Sequence, residues 1–253
     1  MIMTEREEIF YQNLIISDED KIRAEKAIKS KGVEKHILIK DKLLTWNENE
    51  SIEYAKVAST YRYDKRIRIV LFKYISYLEE FYRAVILDNY INRVNQKFWV
   101  NELQSKLKEY NRNLNDALEH IDFSSLLIQC QKLPKQKQEF CLFPKGKYLK
   151  ENSIALKELR NAVMHNKFLL IYRGFEECYV NGVDAGKSAN LKANILNLIQ
   201  FLPSEVGKKC MKEINDCKED RNDENDTAWD LPSQIIITLN LNNYYYENRK
   251  GAI

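Results

Sequence analysis

The chain has 253 residues, of which 44% are hydrophobic and 30% are charged, and its formal net charge is +3. This composition is typical of a soluble globular protein with one large or two small domains, and so small a net charge does not by itself indicate nucleic-acid binding. Only seven glycines and four prolines occur. Because residues that break helices are scarce, we expect a mostly helical chain.

The sequence predicts neither a secretory signal nor a membrane-spanning helix. The stretch "MIMTEREEIFYQ" is acidic and has no apolar centre, so we do not expect a secretory signal. No run approaches the roughly 18 apolar residues that a membrane helix needs, and we therefore expect a cytoplasmic protein without membrane contact. The five cysteines are odd in number and form no C-x-x-C pair, which favours free thiols over zinc ligands.

The first half of the chain carries the clearest helical signals. Residues 4–60 contain several short polar helical patterns, one of which begins after Ser17 as a predicted N-cap and ends at Gly32. Residues 63–93 predict a long helix because they contain no glycine or proline and carry apolar residues at helical spacing. That predicted stripe comprises Ile67, Leu71, Tyr74, Leu78, Phe81, Tyr82 and Val85.

The remaining elements are short and mostly helical. In chain order they are helices over 99–120, 121–133, 149–169, 189–202 and 204–217, a loop with a short hairpin over 174–188, a polar linker over 218–230 and a short strand over 234–241. The predicted class is all-α, a helical bundle with an N-terminal helical extension and a short C-terminal strand or hairpin. We assign the extension to 1–60, the helical domain to 61–217, and a linker with a tail to 218–253.

Positive charge is concentrated in one segment. Residues 132–173 contain ten basic residues against three acids, a net charge of +7. Such a segment is either a solvated lysine-rich surface or an electrostatic footprint for a polyanion.

The stretch "LKELRNAVMHNKFLL" (156–170) lies inside this basic segment. On a helical wheel Leu156, Leu159 and Val163 form a core-facing stripe. Arg160 and His165 lie on either side of another face, which carries Met164 and Phe168, as well as Lys157. Either this helix is buried on two sides, or a second copy of the chain docks there and brings its own arginine and histidine.

The spacing of Arg160 and His165 carries little information by itself, but histidine and arginine are side-chain types that metal-free RNA cleavage can use. That reaction needs a base for the ribose 2′-OH, an acid for the leaving 5′ oxygen and positive charge on the phosphate. Histidine can be the base or the acid, and arginine offers a planar fork of donors to phosphate oxygens. Asn161, one turn before His165, can orient the imidazole or bind the phosphate. Two copies across a twofold axis would supply both the acid and the base.

The motif "RNAVMH" (160–165) resembles the signature of the HEPN superfamily, in which four to six residues, the first of them usually polar, separate an arginine from a histidine. The segment "YLEEFYRAVIL" (77–87), with Glu79 four residues before Arg83, is similar to an earlier helix of Abi-like HEPN proteins. We judge the resemblance to cover residues 62–203. Some HEPN toxins carry a tyrosine two residues after the histidine, where this chain has Lys167, although Tyr172 is nearby.

The resemblance implies a dimeric helical bundle that acts as a ribonuclease in bacterial abortive infection, phage defence or a toxin–antitoxin system. Arg160, His165 and Asn161 would be catalytic, with Glu79 and Arg83 supporting the site. Lys157, Lys167 and Lys147 would hold the RNA backbone. No cofactor and no metal are expected. An antitoxin or a small non-coding RNA is a possible further partner of such a protein.

Two alternatives stay open. The chain could be a non-catalytic HEPN module that binds RNA or acts as a scaffold. It could also be a helical protein–protein adaptor, for which we expect a buried His165 with a satisfied hydrogen bond. No glycine-rich phosphate loop supports nucleoside triphosphate hydrolysis.

Overall fold

The computed structural model describes residues 4–48, 50–90, 99–133, 148–180, 187–219 and 230–240. The structure is mostly helical, which confirms the predicted all-α class. In chain order the helices are α1 (Glu5–Tyr11), α2 (Asp18–Lys31), α3 (Val33–Asn47), α4 (Tyr54–Tyr90), α5 (Asn101–Glu109), α6 (Leu114–Glu119), α7 (Phe123–Gln131), α8 (Leu149–Met164), α9 (Leu191–Phe201) and α10 (Ser204–Asp216). The strands are β1 (Leu14–Ile15), β2 (Ile52–Glu53), β3 (Cys178–Tyr179) and β4 (Lys187–Ser188). In the described ranges, no helix is long and apolar enough to cross a membrane.

The chain divides into two compact units that are built from discontinuous segments. The first unit comprises Met1–Ile69, Phe168–Tyr172 and Ile214–Thr238. The second unit comprises Val70–Lys167, Arg173–Glu213 and Leu239–Ile253. Helix α4 therefore contributes its first part to one unit and its second part to the other. The assignment of 1–60, 61–217 and 218–253 as separate regions stays a prediction.

The first unit has three helices before α4, which confirms the predicted short polar helices. Ser17 caps α2 by accepting a hydrogen bond from the Asp20 amide, and Gly32 ends that helix with a φ of 86°. Both predicted ends are confirmed. A glycine fits this position because a positive φ strains any residue with a Cβ atom. Strands β1 and β2 pair in parallel, with Leu14 opposite Ile52.

Helix α4 is longer at its start than predicted. The predicted stripe is largely confirmed, since Ile67, Leu71, Tyr74, Leu78 and Tyr82 are all buried. Phe81 and Val85 are only half-buried. Phe81 instead stacks with Tyr77 on the more exposed side of the helix, with ring centroids 6.3 Å apart. The stripe is therefore narrower than the apolar pattern alone predicted.

The second unit contains one helix break that the sequence pattern did not predict. A single helix was expected over 99–120, but α5 ends at Glu109 and α6 begins at Leu114. Asn111 and Arg112 adopt φ values of 50° and 64°, and Asn113 then caps α6 by accepting from the amides of Asn115 and Asp116. Asparagine tolerates a positive φ and is a strong N-cap, so "NRN" is a turn signal inside an otherwise helical pattern.

Helix α8 is central to the second unit, where it packs against α7, α9 and β3. The buried Asn152 side chain fixes it to β3, because it accepts from the Tyr179 amide at 2.8 Å and donates to the Tyr179 carbonyl at 3.1 Å. Strands β3 and β4 form the predicted short hairpin, with Cys178 opposite Ser188. The four described cysteines are buried free thiols, as expected, and Cys141 lies outside the described residues.

The strand predicted over 234–241 is wrong for the part that the structure describes. Ser233–Ile235 is a short 3₁₀ helix, and 236–240 has no strand partner among the described residues. Ile235 and Ile237 are buried, and the Ile237 amide donates to the Tyr63 hydroxyl at 2.8 Å. The β-branched residues thus fill a core, while a side chain rather than a neighbouring strand satisfies this backbone donor.

Candidate functional site

Helix α8 carries the motif "RNAVMH" and ends earlier than predicted. Leu156, Leu159 and Val163 are buried, which confirms the predicted core-facing stripe. The helix was expected to continue to Leu169, but its last residue is Met164 and His165 is the C-cap. The histidine therefore lies at the helix end and not within its body.

A Schellman motif explains this early end. Asn166 adopts a φ of 52°, its amide donates to the Val163 carbonyl at 3.1 Å, and the Lys167 amide donates to the Ala162 carbonyl at 2.9 Å. These bonds satisfy carbonyls that the end of the helix would otherwise leave without partners. Asparagine is the commonest residue after glycine in this conformation, so Asn166 was a readable stop signal.

The early end also corrects the predicted placement of Phe168. The wheel placed it beside Met164 on one helical face, but it lies beyond α8 and outside the helical geometry. It belongs to the first unit, where its buried ring is 6.4 Å from the Tyr61 ring. Met164 is half-buried within α8. The expected second apolar face of this helix therefore lacks its largest predicted member.

Arg160 forms an ion pair with Glu79, the glutamate of the segment "YLEEFYRAVIL" (77–87). Its Nε donates to Glu79 Oε1 at 3.1 Å, across 81 residues of chain. The Glu79 side chain is 14% exposed and the Arg160 side chain is 31% exposed. The carboxylate lies on α4 and the guanidinium on α8, so this ion pair joins the two helices that carry the motifs.

Arg83 approaches the other oxygen of the same carboxylate. Its Nη2 lies 3.4 Å from Glu79 Oε2, and its Nε donates to the Leu118 carbonyl of α6 at 3.2 Å. The Leu118 acceptor was not predicted from the sequence. A main-chain carbonyl has no residue-type signature, and only the packing of α6 beside α4 reveals it.

The cluster of Glu79, Arg83 and Arg160 carries a net charge of +1. Both arginines share one carboxylate, and the described residues offer neither guanidinium another acidic partner. The two Nη groups of Arg160 have no hydrogen-bond partner among the described residues, because only its Nε is engaged. The arrangement orients a guanidinium and leaves one edge of it open to an anion.

His165 differs from the other two histidines of the chain. His36 is buried, its Nδ1 lies 2.9 Å from the Gly32 carbonyl, and its ring is parallel to that of Tyr61. His120 has its Nδ1 2.8 Å from the Asp116 carbonyl. His165 is exposed, and no described residue makes a hydrogen bond to its ring. Two histidines thus have structural contacts, whereas the ring of the third has no hydrogen-bond partner among the described residues.

The remaining predicted site residues make no hydrogen bond to the side chain of Arg160 or His165 in the described part of the chain. Asn161 is half-buried, its Nδ2 lies 3.5 Å from Glu158 Oε1, and its main-chain carbonyl accepts from the His165 amide. The Asn161 carboxamide thus has its hydrogen bond with Glu158 and not with the imidazole. Lys157 and Lys167 are exposed. Lys147 lies outside the described residues.

No group of three or more histidine, cysteine, aspartate or glutamate side chains in the described part of the chain is arranged to hold a metal ion. The roles assigned to Arg160, His165, Asn161, Glu79 and Arg83 stay predictions. Comparisons of the chain with protein-family models, with curated proteins and with solved structures yield no match.

Proposed function

We propose that this chain is a metal-independent endoribonuclease of the HEPN type. The observation that supports it best is an oriented arginine within α8 together with an exposed histidine at the C-cap of the same helix. Arg160 is oriented through Nε by Glu79, and among the described residues neither its Nη groups nor the His165 ring has a hydrogen-bond partner. These are the two side-chain types that the reaction requires.

In the proposed reaction a base removes the proton of the ribose 2′-OH, and the 2′ oxygen attacks the adjacent phosphorus. The bond from phosphorus to the 5′ oxygen breaks, and an acid returns a proton to that oxygen. The products are a 2′,3′-cyclic phosphate and a 5′-OH, so no water, metal or oxidant is consumed. Arg160 would bind the phosphate oxygens as negative charge builds up on them.

One chain supplies one histidine at this position, whereas the reaction needs both a base and an acid. We propose that two copies form a homodimer in which both His165 rings serve a composite site. Asn161 would orient groups there, and Lys157 and Lys167 would hold the RNA backbone. As the resemblance implies, such an enzyme would act in bacterial phage defence or a toxin–antitoxin system.

The decisive experiment is RNA cleavage by the purified chain with and without EDTA. We expect activity in EDTA, and we expect His165→Ala to lower the rate about 100-fold to 10,000-fold, the usual contribution of a general acid or base. His120→Ala is the matched control, because His120 has structural contacts on α6. A magnesium requirement, or an unchanged rate in His165→Ala, contradicts the mechanism.

The second candidate is a non-catalytic module that binds RNA or serves as a scaffold. The net charge of +1 on the two-arginine cluster favours it, because such a cluster attracts phosphate with or without chemistry. Binding without cleavage, unaffected by His165→Ala, would support this candidate. The adaptor alternative fits less well, because it expects a buried, hydrogen-bonded His165 and this residue is exposed.

A further inference from the structure

We infer that Arg83 and Arg160, oriented by the Glu79 carboxylate between them, form a cradle for one phosphate group of an RNA backbone. Arg83 is then a phosphate-binding residue in its own right, where the resemblance gives it only a supporting role. The identity of the ligand as RNA rests on the proposed function, whereas the cradle itself rests on the geometry of the second unit.

Within the part of the chain that the structure describes, the hydrogen bonds of the two arginines leave donors open on both. Arg160 donates through Nε to Glu79 Oε1. Arg83 donates through Nε to the Leu118 carbonyl and through Nη2 to Glu79 Oε2. An arginine has five N–H donors, so the Nη1 group of Arg83 and both Nη groups of Arg160 have no acceptor among the described residues. A phosphate group offers oxygen acceptors that match such forks.

Charge and exposure point to an anion. Two guanidinium groups share one carboxylate, so the cluster has a net charge of +1, which a single phosphodiester neutralises. The Glu79 side chain is the most buried of the three, while the Arg83 and Arg160 side chains are 25% and 31% exposed. The anionic member is thus the most enclosed of the three, and each cationic member keeps a larger exposed fraction.

The carboxylate also lowers the cost of binding. A free arginine side chain loses rotamer freedom when it binds a ligand, and this loss opposes binding. Here the contacts to Glu79 and Leu118 already fix both guanidinium groups. The cradle is therefore preorganised, as an effective first shell of donors must be.

The test uses a fluorescently labelled 2′-O-methyl oligonucleotide of about 12 nucleotides, whose blocked 2′ oxygen prevents cleavage. Its affinity is measured by fluorescence anisotropy over a series of salt concentrations. We expect Arg83→Gln and Arg160→Gln each to weaken binding at least about fivefold and to reduce the slope of log K against log salt by about 0.7, the value for one phosphate contact on a single strand.

Lys212→Gln is the matched control, since it removes one positive charge from an exposed residue of α10 in the same unit. We expect it to change affinity less than about twofold. If Arg83→Gln changes affinity and slope no more than Lys212→Gln, the cradle is overturned. If inorganic phosphate displaces the oligonucleotide completely at modest concentration, the assignment to a polynucleotide is overturned.

Arg83→Lys is a second variant that tests the cradle if Arg83→Gln does not fold. Thermal unfolding shows whether each variant is folded. Lysine keeps the charge but lacks the planar fork whose separate N–H groups can contact the Leu118 carbonyl, Glu79 and a phosphate in fixed directions. Weaker binding at an unchanged salt slope supports the cradle, and wild-type affinity contradicts it.

The two proposals can fail separately. A wild-type protein that binds the oligonucleotide through both arginines but does not cleave RNA retains the cradle and loses the nuclease. A wild-type protein that cleaves RNA, with Arg83→Gln binding as tightly as wild type, retains the nuclease and loses the cradle.

Discussion

Helix α4 contains two acid–arginine pairs with the same spacing and different surroundings. Asp64 and Arg68 lie in the first unit, and Glu79 and Arg83 lie in the second. In both pairs the arginine follows the acid by four residues. On an isolated helix each pair would stabilise the helix by only about 0.2–0.5 kcal/mol.

Asp64 is fully buried, and each of its two carboxylate oxygens accepts a hydrogen bond. Its Oδ2 accepts from Arg68 Nε at 2.7 Å, and its Oδ1 accepts from the Leu170 amide at 3.1 Å. The pair thus has one cation and one anion, and it fixes the segment Phe168–Tyr172 within the first unit. Such a pair has no charge left for a ligand.

Glu79 is partly exposed and serves two arginines. The local excess of one positive charge, together with open N–H donors, is what separates a candidate binding site from a structural ion pair. The spacing of an acid and an arginine along a helix therefore does not determine the role of the ion pair. That role depends on how many partners tertiary packing brings to the carboxylate.

The largest expected difference between the pairs is in stability. Asp64→Ala removes the buried carboxylate that accepts from Arg68 Nε and from the Leu170 amide, which we expect to lower the free energy of unfolding by about 3–5 kcal/mol. Glu79→Ala should cost less, about 1–3 kcal/mol, because its arginines can turn toward water. Urea unfolding followed by circular dichroism measures both. Equal losses in the two variants would remove the distinction.

The next difference is in activity. Glu79→Gln keeps the size of the side chain but removes the charge that orients Arg160, and we expect RNA cleavage to slow about 10-fold to 100-fold, mainly in kcat. Asp64→Asn is the matched control, since its carboxamide replaces a carboxylate in the other pair of α4. A loss of cleavage as large in Asp64→Asn, with the fold intact, would show that the two pairs do not have separate roles.

The smallest difference is in the pH dependence of stability. Burial raises the pKa of the Asp64 carboxyl, against the opposing effects of Arg68 and of the Leu170 amide. The stability gained from this raised pKa is complete below the unfolded-state pKa of about 3.9 and is lost as the pH rises through the higher folded-state pKa. The stability advantage of wild type over Asp64→Asn should therefore shrink as the pH rises in this window.

Unfolding of wild type and Asp64→Asn at a series of pH values gives this quantity, because carboxylates common to both proteins cancel in the difference. An advantage that grows with pH would mean that the ion pair with Arg68 outweighs burial. Asp64 would then behave as an ordinary salt-bridged carboxylate, and the prediction that its stability contribution falls with rising pH would be wrong.

Most helices follow from local sequence signals. The long run without glycine or proline predicts α4, Ser17 and Gly32 predict the ends of α2, and Pro203 separates α9 from α10. The two helix ends that were predicted wrongly, at Glu109 and at Met164, have the same cause. Asn111 and Asn166 interrupt helical patterns by adopting a positive φ, while the apolar periodicity that predicts a helix continues past both of them. Asparagine in a helical pattern is ambiguous, because its role depends on whether the following residues find another place to pack.

For the candidate site, the residue types and their motifs are visible in the sequence, including Arg160, His165 and the spacing of Glu79 from Arg83. Titratable side chains and helical periodicity are local properties, so the all-α class, the candidate residues and the helices that carry them can be predicted from the amino-acid sequence. Three features require the folded chain: the bond of Glu79 to Arg160, the exposure of His165 at a helix end, and the packing of Phe168 in the core of the first unit. These outcomes depend on contacts across 81 residues or more and on where a helix stops, which local preferences do not specify.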